Sequence, residues 1–177
     1  MSARKIFNYD NLNESKIVKN LKSDDLFENS ISACGCLFYK IIDNQVELLL
    51  IKYKDPSWPL LDDFGGVIDT TDISVHQAMV REVSEETNTV ISESILNNLI
   101  QSTDNHSKFY NNHSKYYVQL IKLDNDQYND TTIFGDFEEN DKIYRTVKWY
   151  KFNDIKNNLS FRLKNNTNLM LYINGLT

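Results

Sequence analysis

Three glutamates, Glu82, Glu85 and Glu86, follow Arg81 in the run R-E-V-S-E-E. Carboxylates three and four positions apart share one side of a helix, where like charges cost roughly 0.2–0.5 kcal/mol per pair even in water. The cost grows if that side turns inward, because burial penalises each charge. Divalent cations relieve such a cluster. A donor set of oxygens without Cys or His suits Mg²⁺ or Mn²⁺ better than zinc. The chemistry this allows is hydrolysis at phosphorus, with metal ions neutralising charge and acidifying a water.

A helix must position these groups. Ser74-Val75-His76-Gln77 has the S-x-x-Q form of a capping box, which predicts a helix from Val75 with Ser74 as N-cap. It is expected to run to about Thr87. Asn88 stands where a left-handed residue ends a helix, a place Asn takes second only to Gly. At 100° per residue, Val75, Ala78, Met79 and Val83 form the core side. Gln77, Ser84 and Asn88 fall on the opposite side, which is expected to face water. Glu82, Glu85 and Glu86 lie at the azimuth of Val75 and Ala78, so they point toward the protein body. Ahead of the helix, Gly65 and Gly66 open a loop in which backbone can approach a ligand closely.

This arrangement resembles the Nudix box of the Nudix hydrolases, G-x5-E-x7-R-E-U-x-E-E-x-G-U with U apolar. Gly66, five residues, Asp72 and then Arg81-Glu82-Val83-x-Glu85-Glu86 carry the likeness. Asp72 replaces the first Glu, and eight residues instead of seven precede Arg81. Asn88 replaces the final Gly, and Thr89 the last apolar residue. The additional residue falls in a loop, where insertion costs little.

The resemblance implies an α/β fold, a Nudix-type α/β/α sandwich with a mixed sheet. It implies a metal-dependent pyrophosphohydrolase acting on a nucleoside diphosphate linked to another group. Glu82, Glu85 and Glu86 are then the expected ligands of Mg²⁺ or Mn²⁺, joined by a carbonyl of the glycine pair, assigned to Gly66. Arg81 is expected to hold a glutamate in place, and Asp72 to set the loop or helix start. Glu85 or a carboxylate beyond the box would take the proton from water. Glu138 and Glu139 are the candidates there. Candidate substrate contacts are Trp58, by stacking on a base, and Lys52 and Lys54, by meeting phosphate. Removal of an mRNA cap is a second activity of the family, which makes capped RNA an alternative partner. A non-catalytic nucleotide-binding module is a third reading, although the glutamates are all present. Many relatives dimerise, so a homodimer is also open.

Composition limits the partners. The 177 residues carry 25 acidic and 19 basic side chains, a net charge of −6, and four arginines. That balance argues against broad salt-driven binding of nucleic acid, which needs basic surface. No apolar run reaches the length of a membrane span; Val46–Ile51 is interrupted by Glu47. The start of the chain lacks the apolar centre of a signal peptide, so a cytoplasmic location is expected. Cys34 and Cys36 alternate on one strand face and read as core thiols.

Residues 1–29 read as a polar N-terminal extension with a short amphipathic helix over 14–22, and residues 30–177 as the Nudix domain. Residues 31–42 and 45–54 predict strands joined at Asp43-Asn44. A short helix is expected over 92–101, then a hairpin around Asn111-Asn112. An acidic, turn-rich stretch follows over 124–141. Beyond it, Ile143, Arg145, Val147 and Trp149 alternate on one strand face. Short and long helices over 153–158 and 162–173 close the chain, with Leu163, Leu169, Met170 and Ile173 as the apolar stripe of the last.

Overall fold

The computed structural model describes residues 31–101 and 106–177. The extension over 1–29 and its expected helix lie outside them. The first strand, β1 (Ala33–Ile42), turns at Asp43 and Asn44 into β2 (Gln45–Tyr53). Both turn residues are left-handed, with φ of 49° and 58°. Asp and Asn tolerate that region, and it matches the strand twist of a two-residue hairpin. Next come β3 (Leu61–Asp62) and β4 (Phe64–Val67), then the helices α1 (Val75–Glu86) and α2 (Glu93–Gln101). Strands β5 (His106–Asn111) and β6 (Tyr116–Lys122) form the second hairpin. Asn111 shapes its loop by accepting the N–H groups of His113 and Ser114. Two short 3-10 turns lead to β7 (Phe137–Glu138) and β8 (Ile143–Lys151).

The main sheet runs β5-β6-β1-β2-β8-β7, with β3 attached to β2 and β4 to β1. β1 and β6 are parallel and the other pairs antiparallel, so the sheet is mixed. Alternation along the strands divides the core in two. Cys34, Cys36, Phe38, Leu49, Ile51 and Val147 meet Ala78, Met79 and Val83 of α1 and Leu96 of α2. Leu37, Leu48, Leu50, Val118 and Leu120 face the other way. They are covered by the C-terminal helices α3 (Phe152–Ile155), α4 (Phe161–Lys164) and α5 (Thr167–Asn174). The result is the α/β/α sandwich with a mixed sheet. Both cysteines are buried and free.

The expected single last helix is two. Asn166 breaks it: its Oδ1 accepts the N–H of Leu169 at 3.1 Å and starts α5 afresh. Asn favours that capping role over a helix interior. The apolar stripe survives the break, with Leu163, Leu169 and Ile173 buried. No helix among the described residues is long and apolar enough to cross a membrane.

Candidate active site

α1 begins as its sequence predicts. Ser74 Oγ accepts the N–H of Gln77 at 3.1 Å. The return bond differs by one residue, because Gln77 Oε1 accepts the N–H of Ile73 at 2.7 Å. At the other end, Asn88 N–H reaches the Glu85 carbonyl and Thr89 N–H the Ser84 carbonyl. This pair of bonds is a Schellman motif, and Asn88 (φ 50°) and Thr89 (φ 64°) supply its left-handed turn.

The glycine pair lies on β4, which runs beside β1 with Gly65 opposite Gly35 and Gly66 opposite Cys34. The two glycines make room on opposite faces. A Cβ at Gly66 would lie 2.3 Å from Glu82 Oε2. A Cβ at Gly65 would lie 2.6 Å from the Tyr116 hydroxyl and 2.3 Å from the Cys34 carbonyl oxygen. Thus the Glu82 carboxylate occupies space that a side chain at 66 would take, which fixes α1 against β4.

Arg81 gathers the acidic groups. Its Nε and Nη2 donate to the two oxygens of Asp72 at 3.2 and 2.8 Å. Its Nη1 donates to Glu82 at 2.9 Å and to Glu85 at 3.3 Å. Nη2 also reaches the Val67 carbonyl at 3.2 Å. The hydrogen bond to Asp72 is the largest cause holding the guanidinium firmly protonated, against partial burial. Asp72 is buried and also accepts the N–H of Asp69 at 2.7 Å. It is therefore the main anchor of Arg81, and it sets the loop as expected.

Three different environments surround the glutamates. Glu86 is 4 % exposed. Its Oε1 accepts the Tyr53 hydroxyl at 3.0 Å and its Oε2 the Gly65 N–H at 2.6 Å, tying α1 to β2 and β4. The Glu82 and Glu85 side chains are 14 % and 33 % exposed. Partial burial raises the Glu85 pKa above its ordinary value; Arg81 opposes the rise, and Asp141 and Glu138 add to it. Glu138 is buried on β7, and its carboxylate accepts the N–H groups of Asn140 and Asp141 at 2.6 and 2.9 Å. Glu139 is exposed beside it. From the same loop, Asn140 Nδ2 donates to Glu85 Oε2 at 3.1 Å.

Among the described residues, no three carboxylates, imidazoles or thiols already surround one point as a cation cage. Glu82 and Glu85 hold the Arg81 guanidinium instead. The chemistry of the donors nonetheless fits a hard divalent ion: carboxylate oxygens beside a glycine strand, with an internal cation balancing their charge.

The family model of the NUDIX domain matches residues 36–169. The chain belongs to the Nudix family. The R-E-V-S-E-E run and the glycine pair fall inside the matched span, and the general assignment as a Nudix hydrolase follows from it. No curated protein matches the chain. Among solved structures, a Caenorhabditis elegans Ap4A hydrolase is similar over 82 % of this chain and 99 % of its own, at 18 % identity and TM-score 0.49. The NUDIX domain of Shewanella oneidensis NrtR, complexed with ADP ribose, is similar over 86 % and 89 %, at 16 % identity and TM-score 0.47. A bifunctional NMN adenylyltransferase/ADP ribose pyrophosphatase from Francisella tularensis, complexed with AMP and a Mn ion, is similar over 81 % and 42 %, at 16 % identity and TM-score 0.49.

The structure separates the remaining candidates of this Nudix domain. Lys52 is not brought to the glutamates. Its neighbours Ile51 and Tyr53 face α1, so alternation turns Lys52 to the opposite face, across from Leu61. Lys54 pairs with Asp136 at 3.0 Å on the surface and lies 5.2 Å from the Tyr144 ring centroid. Trp58 is half-buried and packs edge-on to Tyr53, with centroids 6.5 Å apart. That leaves it close to the Glu86 corner as part of the packing. Asn88 does not simply face water, since its side chain bonds to the loop at 134–139.

Two arginines, one buried and one partly buried, lie outside the motif. Arg145 is 0 % exposed, and its Nη2 donates to the Glu86 carbonyl at 2.6 Å, at the negative end of the α1 dipole. Arg162 comes from α4 beneath the glycine strand. Its Nε donates to Asp62 at 2.8 Å and its Nη2 to the Gly65 carbonyl at 3.2 Å, with the guanidinium over the Tyr116 ring. Gly65 therefore has its carbonyl engaged from below. Asp63 completes this group, pairing with Arg162 at 2.9 Å and accepting the Tyr116 hydroxyl at 2.8 Å. Burial pushes the Asp63 carboxyl up to about 7, with Arg162 opposing and Asp62 reinforcing. The scarcity of arginine was the available signal: of four in the chain, three stand at this site.

Proposed function

We propose that this Nudix protein is a metal-dependent pyrophosphohydrolase. Its substrate is a nucleoside diphosphate joined to a second group, cleaved by attack of water on phosphorus. One observation carries the reading: the Glu82 carboxylate is seated against Gly66 while Arg81 holds Glu82 and Glu85 on one guanidinium nitrogen. Carboxylates turned inward at such cost are suited to a cationic ligand. Glu82, Glu85 and Glu86, with the Gly66 carbonyl, are the groups that would hold Mg²⁺ or Mn²⁺. The ion supplies charge neutralisation at the diphosphate and a more acidic water.

The protein's own residues divide the remaining work. Arg81 keeps Glu82 and Glu85 oriented and moderates their repulsion. Glu86 braces the helix against β4 through the Gly65 N–H, so its orientation is fixed before any ligand arrives. Glu138 stands close enough to Glu85 to raise its pKa and is the proton acceptor favoured over the exposed Glu139. The water proton passes to that carboxylate as the new P–O bond forms. The bridging P–O bond breaks, and the electron pair leaves with the departing phosphate.

The test is a turnover panel with Mg²⁺ or Mn²⁺: nucleoside triphosphates, ADP-ribose, NADH, diadenosine polyphosphates, inositol pyrophosphates and capped RNA. A nucleotide-linked small molecule is expected to be cleaved, with at least a hundredfold loss in Glu85→Gln. Cleavage of capped RNA alone, or binding without turnover of any compound, overturns the proposal.

A further inference from the structure

We infer that Asn88, where the family pattern has glycine, is a positioning residue that fastens the acidic loop at 137–141 to the end of α1. In doing so it sets the place of Asn140 and Glu138 beside Glu85. The inference rests on the hydrolase reading above for its consequence in catalysis, but not for its structural content.

A left-handed backbone is all that a helix-ending glycine provides. Asn88 provides that and uses every polar atom of its side chain besides. Its Nδ2 donates to the Phe134 carbonyl at 3.0 Å and to the Phe137 carbonyl at 2.9 Å. Its Oδ1 accepts the Glu139 N–H at 3.1 Å. Both Nδ2 hydrogens and one oxygen lone pair are thereby spent on a segment about fifty positions away in the chain. Gly135 turns the loop beside the carboxamide at φ 68°, a left-handed conformation that glycine adopts without strain.

Arg145 bonds to the earlier part of the same loop. Its side chain reaches the Phe134 and Gly135 carbonyls, and its N–H the Asp136 carbonyl at 2.9 Å. From Phe137 onward, Asn88 supplies the link to α1 through Phe137 and Glu139. Asn140 follows directly and donates to Glu85 Oε2 at 3.1 Å. The helix that carries the glutamates and the loop that carries Glu138 are thus joined at two points a turn apart, Asn88 and Glu85. A glycine at 88 would remove three hydrogen bonds between the end of α1 and this loop, while the Asn140–Glu85 contact rests on a partly exposed side chain.

Two variants separate a clamp from a backbone role. Asn88→Gly keeps the left-handed turn and removes all three bonds. Asn88→Asp keeps the acceptor for Glu139 but sets a carboxylate against two carbonyl oxygens. The readouts, on the full chain, are amide hydrogen exchange, Mn²⁺ affinity, and kcat and KM on whichever substrate the panel identifies. The clamp predicts that Glu139, Asn140 and Asp141 exchange about tenfold faster in Asn88→Gly and faster still in Asn88→Asp, while Gly135 and Arg145 are unchanged. It predicts that kcat falls about ten- to a hundredfold with KM less affected, because a displacement near 1 Å suffices for that. A purely conformational role ranks Gly equal to or above Asn; unchanged exchange at 139–141 in Asn88→Gly overturns the inference. Exchange is measured without turnover. An inactive wild type therefore refutes the hydrolase proposal alone, and an active wild type with an unaltered loop in Asn88→Gly refutes this one alone.

Discussion

Gly66→Ala tests whether the glycine strand and the glutamate helix form one device. The new Cβ would lie 2.3 Å from Glu82 Oε2 and 2.6 Å from its Cδ, where 3.4 Å begins ordinary contact. The carboxylate must retreat by about 1 Å, and a displacement of that size near a reacting centre can lower the rate by about a hundredfold. A hundredfold in kcat/KM is ~2.7 kcal/mol of transition-state stabilisation. Stability is expected to change much less. Gly66 does not adopt a left-handed φ, the obstructing atoms are the far end of a flexible side chain, and Ala also restricts the unfolded chain by about 0.4–1 kcal/mol. The assay is kcat/KM with Mn²⁺ alongside a urea unfolding curve. Gly65→Ala is the contrasting variant. Its Cβ would meet the Cys34 carbonyl oxygen and the Gly35 Cα, both backbone, so it is expected to lose stability as well as activity. Glu82→Asp in the Gly66→Ala background shortens the displaced side chain by one methylene and is expected to recover part of the loss. Activity within threefold of wild type in Gly66→Ala, with Glu85→Gln inactive, would refute the claim that Glu82 is placed by the glycine.

Arg145→Leu removes a buried guanidinium from the Glu86 and Phe134 carbonyls, and breaking so buried a charged hydrogen-bond group is expected to cost about 3 kcal/mol in chemical denaturation. A loss below 1 kcal/mol would show that the end of α1 is capped by other means. Burial on folding lifts the Asp63 carboxyl from the ordinary carboxylate value of 3.8 to about 7. The native state therefore binds the extra proton across that interval, and the stability this group contributes is full below the lower value and lost as pH rises through the upper. Asp63→Asn is expected to flatten the fall in unfolding free energy between pH 4 and 7; an unchanged slope would place the pH dependence elsewhere.

What the sequence discloses and what it conceals follow from the range of the interactions. The start of α1, its left-handed end and the inward turn of Glu82, Glu85 and Glu86 are local. Cap chemistry and a 100° repeat decide them between Ser74 and Asn88, so they are legible in one stretch of chain. The two-residue turn at Asp43-Asn44 is legible for the same reason. A lysine near the end of a strand looks like a phosphate contact until its parity is compared with that of its neighbours, which places Lys52 on the face away from α1. The roles of Arg162 and Tyr116 are not set by any local pattern, because their partners Asp62, Asp63 and Gly65 lie about fifty to a hundred residues away and no spacing rule spans that distance.

The same argument explains the departures from the family pattern. Asp72 is shorter than the usual Glu and one residue further from Arg81, yet it takes two guanidinium nitrogens. The longer loop still brings the shorter carboxylate within reach of Arg81. Asn88 substitutes for glycine at the one backbone conformation both residues accept, and its side chain then has an acidic loop to hold. At Asp72 and Asn88, residues that depart from the pattern still anchor Arg81 and end α1 in a left-handed turn. The Asn88 side chain then reaches carbonyls and an N–H some fifty positions further along the chain, contacts that a glycine has no atoms to make.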